Sequence, residues 1–166
     1  MHFSGLPFAL GPEREIQTHA NLVLLKGDRA YKLKKPVKFP FLDYSTLPLR
    51  RRMILNELHF NRLFSPEIYL GVAEITERDG ALEIGPLLND LPEPALAGVV
   101  DYCVIMKRIP DDAWLPVKLK DGKVSEAQII ALMERLVRAL QAAPATDEIR
   151  ANDQVQAAYL GHEVTP

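Results

Sequence analysis

At 166 residues, 48% hydrophobic and 25% charged, the chain has the composition of one globular domain with a core of its own, which excludes a wholly disordered protein. Its 20 basic against 22 acidic residues leave a net charge of -2, which argues against a dedicated nucleic-acid binder, although Lys26, Arg29, Lys32, Lys34, Lys35 and Lys38 crowd one short segment. The single cysteine, Cys103, excludes an intrachain disulfide and any Cys-x-x-Cys redox or zinc pattern.

The N-terminus, Met1 to Leu10, has no basic n-region and is broken by Gly5 and Pro7. No apolar run approaches the roughly 18 residues that a bilayer span needs, so the expectation is a cytoplasmic chain with no membrane partner. Residues 1 to 12 read as an irregular lead-in. Glu15 to Leu25 is β-like, and Gly27-Asp28 turns the chain into a strand over Arg29 to Val37, making a hairpin.

Pro36 and Pro40 end that strand, and Ser45 or Thr46 is placed to cap a helix from about Leu47 to Phe64, with Pro48 in its first turn and Pro66 closing it. Two further strands, Tyr69 to Thr76 and Ala81 to Ile84, flank the turn Arg78-Asp79-Gly80. After a loop over 85–97, Val99 to Met106 is the strongest strand signal in the chain, broken by the connection Lys107 to Asp112. From Ser125, in capping-box spacing with Gln128, the pattern turns helical with Ile129, Met133, Leu136 and Leu140 on one stripe, ending before Pro144. Thr146 to Glu163 adds a weaker helical pattern. The expected fold is α+β: a five-stranded antiparallel sheet with one packed helix, then a linker and C-terminal helices. The subdomain boundary falls after Pro110, dividing 1–110 from 111–166.

One charged residue breaks the helix pattern. Leu49, Met53, Phe60 and Phe64 form a stripe at i, i+4, i+11 and i+15, and the vacant i+8 place is Glu57. A carboxylate buried without a partner costs several kcal/mol, so Glu57 needs a cation. Strand alternation projects Lys32 and Lys34 from one face of the preceding strand, which makes them the nearest candidates. The plain alternative is a structural ion pair or a glutamate that reaches solvent.

The phrases Ile16-Gln-Thr-His-Ala-Asn-Leu-Val-Leu-Leu25, Ala30-Tyr-Lys-Leu-Lys-Lys-Pro-Val37, Phe39-Pro-Phe-Leu-Asp-Tyr-Ser-Thr-Leu47, Asn56-Glu-Leu-His-Phe-Asn-Arg62 and Pro66-Glu-Ile-Tyr-Leu-Gly-Val72 resemble the N-terminal, ATP-binding lobe of an aminoglycoside-phosphotransferase-like kinase. The bacterial group in question often carries this domain ahead of a P-loop ATPase domain. The resemblance covers residues 16 to about 76 well, and Asp101 to Leu115 and the Ser125 helix more loosely. It implies that Lys34 is the phosphate-binding lysine, with Lys32 the second choice because Ala30-Tyr31-Lys32 also fits a kinase strand. It implies that Glu57 holds that lysine toward the phosphates of ATP, with Mg²⁺ as the companion ion. Met106 to Ile109, with Lys107 between them, resemble the hinge that meets the adenine edge. Asn21 stands where relatives often have serine, and the neighbouring His19 reads more readily as satisfying a buried hydrogen bond at a strand turn than as facing nucleotide.

The sequence carries no His-x-Asp pair around His2, His19, His59 or His162 and no Asp-Phe-Gly-like segment, so the aspartates for acceptor and metal are expected in a second, helical lobe. No P-loop, Gly-x-Gly-x-x-Gly fingerprint, Gly-x-Ser-x-Gly elbow or zinc pattern offers a second chemistry. The expected function is therefore the nucleotide-binding half of a phosphotransferase acting on a small-molecule hydroxyl. The alternative is a non-catalytic lobe that binds nucleotide, the missing helical lobe or a partner chain. A basic, aromatic nucleic-acid surface over Lys26 to Lys38 is a third and weaker reading, against which stands a solvated basic strand edge.

Overall fold

A computed structural model describes residues 6–93, 95 and 97–142. Six antiparallel strands make the main sheet: β1 (Arg14–Gln17), β2 (Asn21–Lys26), β3 (Arg29–Lys34), β6 (Tyr69–Arg78), β7 (Ala81–Ile84) and β8 (Val99–Lys107), in the order β1-β2-β3-β8-β6-β7. A small second sheet pairs β4 (Lys38–Phe39) with β5 (Leu42–Asp43). Helix α1 (Leu47–Phe64) packs on β8, β6 and β3, and a 3₁₀ turn at Asp111–Ala113 leads to α2 (Leu115–Lys120) and α3 (Glu126–Ala142). The fold is thus α+β and antiparallel, with one strand more than expected. The helical pattern at Thr146 to Glu163 lies outside the described residues.

The additional strand comes from a turn inside the β-like run. Thr18 Oγ1 accepts the Asn21 amide at 3.0 Å and the Thr18 amide donates to Asn21 O at 2.9 Å, closing a tight loop that folds β1 back on β2. The polar group Gln17-Thr18-His19 is the sequence trace of that reversal. At Asp79-Gly80 both residues have positive φ, 52° and 76°, which is what a two-residue hairpin needs to match strand twist.

Alternation along the strands divides the core into two. One face gathers Leu22, Leu24, Tyr31, Leu33, Ala73, Ile75, Leu82, Cys103 and Ile105, and the lead-in closes over it with Leu6, Phe8 and Leu10. The lead-in is tied to β7: Leu82 donates its amide to Pro7 O at 2.8 Å and accepts from the Ala9 amide at 2.9 Å. The opposite face gathers Val72, Tyr102 and Val104 under Ile54 and Leu58 of α1, with Leu91 from the loop after β7. Gly71 lets that loop cross β6, because a Cβ there would stand 2.3 Å from Leu88 O.

The buried stripe of α1 differs from the expected one. Arg50, Ile54 and Leu58 face the sheet, whereas Leu49, Met53, Phe60 and Phe64 lie half-buried to one side. Both sets satisfy helical spacing, and the stripe that wins contains an arginine, which a count of apolar residues passes over. Thr46 is the N-cap, its hydroxyl accepting from the Leu49 amide at 3.4 Å. Among the described residues no helix is long and apolar enough to cross a membrane.

Candidate functional site

Register brings the site together across neighbouring strands. Lys34 pairs with Asn21 and Lys32 with both Val23 and Val104, so these side chains share the α1 face of the sheet. Ala30 stands opposite Met106 on the same face, and it joins Val23 and Met106 as an apolar floor beside the lysines. Ala30 and Val23 were legible as strand residues, but only the pairing register shows that they border the site.

Glu57 reaches this row from α1. One carboxylate oxygen, Oε1, accepts from Lys32 Nζ at 2.7 Å, and the other, Oε2, accepts from Lys34 Nζ. The glutamate therefore bridges both candidates rather than choosing one. Burial presses its carboxyl upward, but Lys34 and Lys32 together outweigh that and hold it below the ordinary value of 4.5.

The two lysines differ in surroundings. Only 6% of the Lys34 side chain is exposed, and it is held by Glu57, by Asn21 Oδ1 at 3.2 Å and by the Tyr44 ring, whose centroid lies 5.2 Å away. Lys32 is 26% exposed, and Glu57 is its one acceptor among the described residues. It retains donors for an anion, whereas Lys34 anchors the cluster from beneath. Because an ammonium has no acceptor, Lys34 fixes the orientation of the Asn21 amide, turning its oxygen inward and its NH₂ away.

The hinge residues follow at the end of β8. The Met106 side chain is half-buried against the cluster under α1. The Lys107 amide donates to Ile68 O and the Arg108 amide to Asp28 O, both at 2.8 Å, so those donors are already used by the protein. Ile109 is the next amide along and has no protein acceptor among the described residues. His19 is exposed at the tip of the β1–β2 turn, which corrects the expectation of a buried hydrogen bond: Thr18 and Asn21 close the turn without it.

The basic segment is not one continuous surface. Lys26 donates to Gly11 O, Lys35 to Gln17 Oε1 and Thr18 O, and Lys38 pairs with Asp43 at 2.9 Å, while Lys32 and Lys34 turn toward α1. Cys103 is buried among apolar side chains, and burial raises its thiol far above the ordinary range.

The second buried ion pair of this face was not anticipated. Arg50 Nε lies 3.0 Å from each oxygen of Asp101, and Arg50 Nη1 donates to Tyr44 O at 3.1 Å. The signal available in the sequence was Asp101 itself, a lone carboxylate inside the apolar run Val99 to Met106.

Three curated proteins align with the chain: an uncharacterized protein of Mycobacterium bovis and two uncharacterized proteins of Mycobacterium tuberculosis. Each is 30% identical over 122 residues, which is 74% of this chain and 21% of the relative. The chain spans about a fifth of the length of the curated relatives it matches. No family model and no solved structure matches it.

Proposed function

We propose that this chain is the nucleotide-binding lobe of an aminoglycoside-phosphotransferase-like kinase, taking ATP with Mg²⁺ and serving phosphoryl transfer to a small-molecule hydroxyl together with a helical lobe. The observation that carries the proposal is Glu57 bridging Lys32 and Lys34 between α1 and β3. Two ammonium groups against one carboxylate leave a local excess of one positive charge, set beside an apolar floor of Val23, Ala30 and Met106. Phosphate oxygens take charge-assisted hydrogen bonds from such a cation, and a flat base is accommodated by such a floor.

The difference in burial supports a division of parts on this reading. Lys32, the more exposed lysine, meets the phosphates, and Lys34 holds Glu57 and Asn21 in place. Ile109 offers its amide to the base edge. Among the described residues no group of three or more His, Cys, Asp or Glu is placed to hold a metal ion, so Mg²⁺ in this scheme comes with the phosphates and is held from the helical lobe. The alternative, a non-catalytic lobe that binds nucleotide or a partner chain, is favoured by one feature: α3 exposes Ile130, Met133, Val137 and Leu140.

The test is calorimetric titration of the 166-residue chain with ATP in the presence and absence of Mg²⁺, repeated on Lys32→Ala. Mg²⁺-dependent binding that Lys32→Ala removes is the expected result, with no phosphoryl transfer by the chain alone. Absence of binding, or binding that Lys32→Ala leaves intact, overturns the assignment. Turnover that the purified chain shows and Lys32→Ala lacks overturns the claim that a second lobe is required.

A further inference from the structure

Arg50 and Asp101 are 8% and 2% exposed, and both are charged groups in the middle of an apolar interface. An apolar pair of similar volume often serves stability as well or better, so packing alone gives no reason for them. The place of Arg50 on α1 supplies one. Arg50 and Glu57 are seven residues apart, which sets them within about 20° of one line down the helix and roughly 10 Å apart along it. Each meets the opposite charge on adjacent strands: Arg50 finds Asp101 on β8, and Glu57 finds Lys32 and Lys34 on β3.

We propose that the Arg50–Asp101 pair is a positioning element, which selects the rotation and register of α1 and so presents Glu57 to Lys32 and Lys34. Helix α1 has two apolar stripes to choose between, one through Ile54 and Leu58 and one through Leu49, Met53, Phe60 and Phe64. Apolar contacts distinguish them weakly, because either stripe can be buried. A guanidinium that must reach Asp101 distinguishes them sharply, since rotation toward the other stripe leaves two buried charges unpaired. A slide of two turns along the axis is excluded as well, because it brings Arg50 toward the two lysines.

The same arginine also holds the segment ahead of the helix. Its Nη1 donates to the carbonyl of Tyr44, whose ring lies over Lys34 Nζ. One side chain thus fixes both the carboxylate that bridges the lysines and the ring that covers one of them. The consequence for ligand binding rests on the nucleotide reading; the placement of Glu57 does not.

The experiment separates the two. In the full chain with ¹³C-labelled glutamate, the Glu57 carboxyl is assigned with Glu57→Gln and titrated in wild type, in Arg50→Met with Asp101→Leu, and in Arg50→Lys. The expected wild-type midpoint is below 4.5, rising to 4.5 or above in the folded double variant and part of the way in Arg50→Lys. A folded double variant with the wild-type midpoint overturns the proposal. If the double variant does not fold, an unmoved midpoint in Arg50→Lys overturns it equally. Failure of both variants to fold also counts against it, since the pair is then a requirement of the core and not of Glu57. Mg²⁺-ATP binding on the same samples is expected to fall as the midpoint rises. No binding by wild type removes the nucleotide reading and leaves the positioning result standing.

Discussion

The two faces of the sheet are built from the same strands and differ in kind. The face under the lead-in is a continuous apolar cluster of nine buried residues without a charge among them. The α1 face includes, among the described residues, the buried ion pairs Arg50–Asp101 and Glu57 with its lysines beside fewer apolar side chains. Apolar packing tolerates many solutions, whereas a buried charge is satisfied only where oppositely charged or polar partners meet it in good geometry. The difference teaches that stability is concentrated on one side of the sheet and specification on the other.

The largest effect expected on the apolar face is from truncation at its centre. Leu33→Ala removes a side chain with no exposure, beside Leu22 and Cys103, and is expected to cost about 2–5 kcal/mol by denaturant unfolding. It leaves the Glu57 cluster intact, because Leu33 points away from Lys32 and Lys34. On the α1 face, Glu57→Ala leaves Lys34 buried with Asn21 as its remaining hydrogen-bond acceptor, and a loss on the order of 3 kcal/mol is expected. Replacing Lys34 together with Glu57 by apolar residues is expected to recover most of that stability. If the double replacement does not recover that stability, the charges on this face are there for stability after all and the contrast between the faces fails.

A smaller loss follows from the helix start. Thr46→Ala removes the hydroxyl that accepts from the Leu49 amide and is expected to cost about 1 kcal/mol in thermal or chemical unfolding.

Sequence reasoning reached the elements that have strong local signals. The Leu47–Phe64 boundaries of α1, the Asp79-Gly80 hairpin and the β8 strand all follow from caps, turn residues and apolar runs. Glu57 and its two lysines were also within reach, since a carboxylate in a helical pattern and two ammoniums on one strand face have few other ways to be satisfied. The stripe by which Glu57 was found is not the one that faces the sheet, yet the residue lies between both stripes and so survives the substitution. What stayed hidden depended on partners far apart in the chain. Arg50 looks like a solvent-facing arginine until Asp101, 51 residues away, is placed beneath it. The β1–β2 turn was hidden for a local reason: its reversal uses the Thr18 hydroxyl in place of glycine or proline.

Acid sharpens the contrast, and its sign can be worked out. The Glu57 carboxyl is held below 4.5 in the folded chain by Lys34 and Lys32 against the upward pressure of burial. The unfolded chain therefore binds its proton more readily. This contribution is present in full above 4.5 and is lost as pH falls through the folded value. Asp43 acts in the same direction, lowered from 3.8 to about 2 by the Ser45 hydroxyl, by Lys38 and by the Ser45 amide. Asp101 acts oppositely, since burial outweighs Arg50 and the Tyr102 amide and raises its carboxyl. The wild-type curve mixes these with other carboxyls, among them Glu13, which the Gly27 amide lowers. The difference between wild type and Glu57→Gln isolates one, and its stabilising contribution should shrink as pH is lowered below 4.5; a difference independent of pH there means that Glu57 is not paired as described.

The smallest effect is expected outside the two faces, on α3. Met133 and Leu140 lie on an apolar stripe, yet both are exposed, and α3 touches the rest of the chain through Arg135, which donates to Phe64 O at 2.9 Å and pairs with Glu67. Substitution at exposed positions away from caps and ion pairs usually changes stability by less than about 0.5 kcal/mol. Met133→Ser and Leu140→Ser are therefore expected to leave the unfolding midpoint of the chain where it is, although the same residues buried in a core would cost several times more. A loss comparable with that of Leu33→Ala would mean that α3 buries its stripe within this chain, and the sheet with α1 would then no longer be the whole of what holds the molecule together. An unchanged midpoint keeps stability in the strands and α1 and leaves the stripe of α3 as surface open to association.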